Sequence, residues 1–191
     1  MEKSGTQELI LLRNVMQNRA VSAFAQAMCA DDPSAYAVAA EALLEDDMLH
    51  SFAAYLTDKI LHSDNLFARR SFANTLTQDI RTAYAHDLRI LQSLTFRAEN
   101  PPQKITAAVA DGFPAISRGE DGILGKQWDS DETLDKLREF HKHNGYGIFI
   151  GHKAFTFENG QLKPVYNTSS ITLSDLKDYE DEKRAVENNV I

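Results

Sequence analysis

Three short stretches of the sequence carry residue types that could bind a nucleotide or a metal ion. The first is glycine-rich, GEDGILGKQ from Gly119 to Gln127, and invites comparison with a phosphate-binding loop. Such a loop needs a glycine five places before its Gly-Lys pair and a hydroxyl residue directly after it. Glu120 and Gln127 occupy those two positions. We therefore expect a surface loop at this point of the chain and not a nucleotide cradle.

The other two stretches offer possible metal ligands. Asp129 to Glu132, DSDE, could hold a magnesium ion through its carboxylates, but an Asp followed three residues later by a Glu also caps a helix N-terminus. His141 and His143 could chelate a divalent metal, yet no cysteine or carboxylate accompanies them at ligand spacing. Basic residues favour the C-terminal turn of a helix. We interpret the two stretches as the ends of one helix.

Charge argues against a nucleic-acid partner. The net charge is −8, whereas phosphate binding needs a surplus of lysine and arginine on at least one face. Arginines do recur along one helical pattern, but acidic residues interleave with them. This alternation indicates a solvated, charge-balanced face. The arginines are Arg81, Arg89 and Arg97, and the acidic residues are Asp79, Asp87 and Glu99.

The single cysteine and the hydropathy pattern predict a cytoplasmic protein. Cys29 cannot form an internal disulfide, which is typical of a reducing compartment. We place it on the same helical face as Phe24 and Met28, and so predict a packed thiol and not a nucleophile. The N-terminus does not resemble a secretory signal, and no window of about 18 apolar residues could span a membrane.

Glycine and proline divide the chain into two regions. Neither residue occurs between Ser34 and Asn100, whereas eight of the nine glycines lie at or beyond Gly112. Because both residues interrupt helices, we expect a helical first half and a mixed second half.

Apolar residues at steps of three and four predict the helices of the first half. They indicate one long helix from Ser4 to about Asp31, a second that begins at Asp32-Pro33, and a third that ends near Ile60. After Ser63-Asp64 the pattern fits either one helix of about thirty residues or two helices with a bend. Short connections favour an up-and-down bundle over residues 1–100, closed by Pro101-Pro102.

The second half predicts helices and a small antiparallel sheet over residues 101–166. Short helices are expected at Lys104–Ala110 and Asp131–His143. Three strands follow, at Tyr146–Ile150, at Lys153–Phe157 and around Pro164, and Asn159-Gly160 is a strong hairpin signal. The predicted class is therefore α+β, mainly α. Residues 167–191 are predicted to be a linker and the first helix of a further module.

The C-terminal stretch combines helix-start signals with a family resemblance. Ser174 or Asp178 can cap a helix, and acidic residues follow at once. The pattern L-x-D-L-x-D-Y-E-x-E-K-x-x-x-x-N, from Leu173 to Asn188, resembles the lead-in to the nucleotide-binding module of AAA+ ATPases. It is most similar to the bacterial domain-of-unknown-function 815 family. The similarity extends over Leu137–Ile191, less than a third of the chain.

The resemblance implies a nucleotide-binding module beyond this stretch. In that family a strand and a Walker A loop follow the lead-in, so we expect the chain to stop in mid-helix before its Walker A loop. ATP and magnesium are then implied for the full-length protein. Leu176 and Tyr179 would lie against the adenine ring. Alternatively, these two residues only cap and staple a helix.

The implied role of this chain is partner recognition or regulation of the ATPase, and the expected partner is another protein or a second copy of the chain. The chain itself lacks the lysine, the magnesium-binding hydroxyl and the acidic residue that phosphoryl transfer needs, so it is not expected to hydrolyse ATP alone. The alternative is a stand-alone helical interaction protein with no nucleotide involvement. The gene sequence beyond the codon for Ile191 distinguishes the two.

Overall fold

The computed structural model describes residues 5–152, 154–158 and 160–165. Within these ranges the chain forms seven α-helices and one two-stranded antiparallel sheet, which confirms the predicted α+β, mainly α class. The helices are α1 (Arg19–Ala30), α2 (Pro33–Glu45), α3 (Phe52–Leu61), α4 (Leu66–Phe72), α5 (Gln78–Phe96), α6 (Gln103–Ala110) and α7 (Asp131–Asn144). Short 3₁₀ helices lie at Gly5–Glu8, Arg13–Gln17, Gly122–Leu124 and Gly147–Phe149.

The prediction of one long N-terminal helix is wrong. Only α1 is an α-helix here, because the Asn18 side chain accepts a hydrogen bond from the N–H of Val21 and caps a new helix at Arg19. Before Asn18 the chain forms two 3₁₀ helices joined by irregular backbone. Leu9 and Leu12 are nevertheless fully buried, so the apolar spacing was a correct signal for the core and a poor one for the helix.

The stretch after Ser63-Asp64, whose pattern fitted either one helix or two, forms two separate helices. α4 ends at Phe72, and α5 begins at Gln78. Asn74 adopts a left-handed backbone with φ of 54°, which an α-helix cannot continue through. The turn between α4 and α5 is therefore a sharp break and not a bend.

The apolar core extends well past the predicted boundary at residue 100. The chain divides into two compact units, Met1–Gly151 and His152–Ile191. Residues from α6, from the long loop after it and from α7 share one core cluster with α1, α2, α3 and α5. These later members of the core are Ile105, Ile116, Leu124, Trp128, Leu134 and Leu137. No helix within the described ranges is both long enough and apolar enough to cross a membrane.

The predicted strand at Tyr146–Ile150 is wrong, because this stretch contains the 3₁₀ helix Gly147–Phe149. Gly147 has φ of 53°, and a Cβ there would lie 3.0 Å from the Cβ of Asp64. A strand allows neither this backbone nor the close approach that it makes possible.

The second unit contains the predicted hairpin. β1 (Phe155–Glu158) pairs with β2 (Gln161–Pro164) in antiparallel register, with Phe155 opposite Pro164 and Glu158 opposite Gln161. Gly160, in the turn, has φ of 78°, as the hairpin signal required. The predicted linker and helix over 167–191 lie outside the described residues.

Candidate functional site

The start of the glycine-rich loop and the two residues before it support α3. The N–H groups of Phe52 and Ala53, in the first turn of α3, donate to the carbonyls of Ser117 and Arg118 at 3.1 and 2.8 Å. These bonds satisfy N–H groups that a helix start leaves without partners. Gly119 is needed for this approach, since a Cβ there would lie 2.8 Å from the carbonyl oxygen of His50.

The rest of this loop packs around a buried tryptophan. Trp128 is fully buried, and its Nε1–H donates to Asp121 Oδ1 at 2.9 Å. Arg118 forms an ion pair with the same carboxylate. The carbonyl of Lys126 accepts from Gln92 Nε2 at 2.8 Å. The loop therefore contributes to the core more than the predicted surface loop would.

The DSDE stretch is the N-terminus of α7, but its cap is Ser130 and not Asp129. Ser130 Oγ accepts from the N–H of Thr133 at 3.2 Å. Asp129 pairs with Arg89, and Asp131 pairs with Arg81 at 3.0 Å. The described residues contain no group of three or more His, Cys, Asp or Glu side chains arranged to hold a metal.

The predicted solvated face on α5 is only partly correct. Arg89 and Arg97 are exposed, as are Asp79 and Glu99, but Arg81 and Asp87 are not. The Arg81 side chain is only 14% exposed, because it bridges Asp131 and Asp135 of α7. Asp87 is fully buried, and its carboxylate accepts from the N–H groups of Ile10, Leu11 and Leu12 at 2.6 to 3.0 Å. Arg81 and Asp87 therefore stabilise contacts within the chain.

The two histidines of α7 do not converge. His143 is exposed, whereas His141 is fully buried, and its Nδ1–H donates to the carbonyl of Gly145 at 3.0 Å. Burial lowers the pKa of His141, an effect that the Gly145 bond only partly offsets. His141 therefore belongs to the core, packed beside Phe67 and Phe140.

The prediction that Cys29 packs in the core is wrong, because its side chain is exposed. Phe24 and Met28 are buried as expected. Cys29, however, lies five residues after Phe24, which turns it about 140° away around the helix axis. The predicted adenine contacts, Leu176 and Tyr179, lie outside the described residues.

The feature of unit 1 best suited to binding another molecule is an apolar groove on α2, which we call the α2 groove. It has a volume of about 520 Å³ and is lined by Ala37, Ala40, Glu41, Leu44, Glu45, Phe113 and Pro114. Leu44 is 51% exposed and Phe113 is 38% exposed. The accessible lining is therefore mostly hydrocarbon, on a chain that is otherwise rich in charge.

A tyrosine fixes the far wall of the α2 groove. The Tyr36 hydroxyl accepts from the N–H of Ile116 at 2.7 Å and donates to the carbonyl of Pro114 at 3.3 Å. Burial raises the pKa of Tyr36, so the phenol remains a donor at neutral pH. Through these two bonds α2 positions the Phe113-Pro114 wall.

The C-terminal end of α2 gives the groove an acidic rim. Glu41 and Glu45 share Arg19 as their ion-pair partner, and both carboxylates remain about 60% exposed. Asp46 and Asp47 follow directly and are exposed. One arginine therefore offsets the two glutamates that line the groove, which leaves this rim negatively charged.

The sequence contained a signal for the α2 groove that periodicity did not use. Between Pro33 and Glu45, α2 carries apolar residues on nearly every side, and only part of them can face the core. Val38 and Leu44 belong to the remainder, at 39% and 51% exposure. A surplus of apolar residues on a surface helix indicates a surface that another molecule covers.

Comparisons with protein-family models, with curated proteins and with solved structures found no match.

Proposed function

We propose that the helical unit is a protein-interaction region, and that its α2 groove binds an amphipathic helix of a partner protein. The observation that carries this proposal is the combination of an apolar floor with an acidic rim on one element. Helix-in-groove recognition uses such a floor for the apolar face of the ligand helix. The rim favours a ligand whose polar face carries lysine or arginine.

The exposed apolar side chains can supply the binding free energy. Covering a half-exposed leucine or phenylalanine is worth about 1 kcal/mol. Leu44 of α2 and Phe113 of the loop after α6 both line the groove, so both are available to an inserted side chain. The carboxylates of Glu41 and Glu45 add orientation and a faster encounter more than they add affinity.

A pair of model peptides tests this proposal. Both form an amphipathic helix with the same leucine face, and one carries lysine where the other carries glutamate. We expect fluorescence anisotropy to show tighter binding of the lysine peptide. Amide chemical-shift changes should concentrate at α2 and at Phe113. Equal binding of the two peptides, or changes spread evenly over the surface, would count against the proposal.

A second copy of this chain is the competing occupant of the α2 groove. Light scattering on the purified chain, at increasing protein concentration, distinguishes it from partner binding. A monomer that binds the lysine peptide supports the proposal. A dimer that Leu44→Ser dissociates would replace it with a contact between two copies of the chain.

The proposed context is a cytoplasmic AAA+ ATPase, in which this region recruits the partner. The resemblance over Leu137–Ile191 supports this context, and the single cysteine supports the location. ATP and magnesium would then bind to the module that follows. The longer gene product should hydrolyse ATP, and Tyr179→Ala should weaken its ATP affinity several-fold through loss of stacking on adenine.

A stand-alone interaction protein is the alternative to this context. It predicts a stop codon after Ile191, whereas the ATPase context predicts a strand and a G-x-x-x-x-G-K-[ST] loop. The α2 groove has the same role in both cases. The peptide experiment therefore tests the binding proposal independently of the ATPase context.

A further inference from the structure

A second cavity, separate from the α2 groove, lies at the turn between α4 and α5. Its volume is about 390 Å³. The lining is polar apart from Leu76. The polar members are Ser71, Asn74, Thr77, Gln78, Arg81 and Arg138.

Ser71 gives this cavity a buried hydroxyl that nothing in the described part of the chain satisfies. The residue is 1% exposed, and its Oγ makes no hydrogen bond there. A buried hydroxyl without a partner costs about 1–3 kcal/mol. Because Ser71 lies in the wall of a polar cavity, a ligand atom there can supply the missing hydrogen-bond partner.

The N-terminus of α5 lies beside this hydroxyl. Thr77 is the N-cap residue, but its side chain makes no capping hydrogen bond. The N–H groups of the first turn have no partner within the helix, and the dipole of a 19-residue helix makes this end positive. Thr77 and Gln78 both line the cavity. The cavity therefore has access to the donor end of a long helix.

Two arginines complete the lining, and they differ in how far they are neutralised. Arg81 is paired with Asp131 and Asp135 and serves chiefly to hold the wall in place. Arg138 is 41% exposed, and among the carboxylates of the described residues it contacts only Glu139, at a long 3.5 Å. Its guanidinium can therefore turn to a ligand.

We infer that this cavity binds a small oxyanion, the phosphate or carboxylate group of a free small molecule. The lining offers a hydroxyl, helix N–H groups and a guanidinium, all of which donate hydrogen bonds to a ligand oxygen. Asp79 lies in the first turn of α5 but does not line the cavity. An oxyanion would satisfy Ser71 and cap α5 at the same time.

Titration with inorganic phosphate and with acetate, at constant ionic strength, tests this inference. We expect saturable amide shifts at Gln78 and its neighbours, and the tighter of the two anions identifies the preferred group. Arg138→Gln should weaken that affinity about tenfold, because it removes a charged donor. Ser71→Ala should weaken it about threefold. Arg89→Gln removes an arginine of α5 that does not line this cavity, and it should leave the affinity unchanged.

A carboxylate built into the helix start gives an independent check. Thr77→Asp should cap α5 internally, raise the melting temperature and abolish the saturable shifts. Shifts that do not saturate with either anion would overturn the inference. So would equal losses of affinity in Arg138→Gln and Arg89→Gln, because they would show attraction to surface charge in general.

Discussion

Helices α2 and α5 belong to the same core but differ in what they leave for other molecules. Three polar side chains of α5 are engaged within the chain. Asp87 binds the N-terminal segment, Arg81 binds α7, and Gln92 donates to the carbonyl of Lys126. α2 instead leaves Val38 and Leu44 exposed beside an acidic rim.

This contrast separates stability from binding. Polar groups that are buried and paired, as on α5, stabilise one arrangement of the chain, and their removal leaves partners unsatisfied. Exposed apolar groups, as on α2, contribute little to the fold and gain free energy only when something covers them. Substitutions on α5 should therefore change unfolding, and substitutions on α2 should change binding.

The largest effect on stability is expected from Asp87→Ala. The change leaves three N–H groups of residues 10–12 without their acceptor, which should lower the free energy of unfolding by about 3–4 kcal/mol. Urea unfolding followed by circular dichroism measures this loss. Asp87→Asn keeps one acceptor oxygen and should give an intermediate value. A loss below 1 kcal/mol for Asp87→Ala would contradict the anchoring role.

Acidic pH should lower the free energy of unfolding of unit 1, because His141 is buried in its neutral form. Burial lowers its folded pKa below the ordinary value of about 6.5, so the unfolded chain takes up the proton first. This contribution to stability is complete above about pH 6.5 and is lost as the pH falls toward the folded pKa.

The pH dependence of urea unfolding between neutral pH and pH 5 measures this effect, and His141→Gln should flatten it. The exposed His143 is the matched control, and His143→Gln should leave the slope unchanged. Equal slopes in wild type and His141→Gln would show that other groups cause the acid sensitivity.

A smaller difference is expected between the two arginines that join α5 to α7. Arg81→Gln should lower the free energy of unfolding by about 1 kcal/mol, since this side chain is mostly buried and contacts two carboxylates. Arg89 is 70% exposed, and Arg89→Gln should cost at most about 0.5 kcal/mol. Equal losses of unfolding free energy in the two variants would mean that burial does not determine how much these ion pairs stabilise the fold.

The sequence predicted helices best where a cap and an apolar stripe coincide. Asp32-Pro33 starts α2, and the end of α7 coincides with Asn144-Gly145. The long N-terminal helix was wrong because a distant carboxylate, Asp87, takes the N–H groups of residues 10–12. No local pattern reveals that a residue 75 positions later in the chain will do so.

The candidate sites were harder to predict than the fold. Motif spacing argues against a phosphate cradle at Gly119–Gln127, since spacing is a local property, but it did not indicate that this loop packs around the buried Trp128. The α2 groove depends on Phe113 and Pro114 returning to α2, which requires the Tyr36 bonds. Only the excess of apolar residues on α2 could have indicated it.

The central claim is that the α2 groove binds a basic amphipathic helix, and the affinity of the lysine peptide for two variants tests it most directly. Leu44 and Leu66 are similarly exposed, at 51% and 42%, but only Leu44 lines the groove. Neither substitution to serine should change the free energy of unfolding by more than about 0.5 kcal/mol. We predict that Leu44→Ser weakens binding about fivefold, the cost of about 1 kcal/mol of lost apolar contact, and that Leu66→Ser leaves it unchanged. Equal affinities for the two variants would contradict the claim.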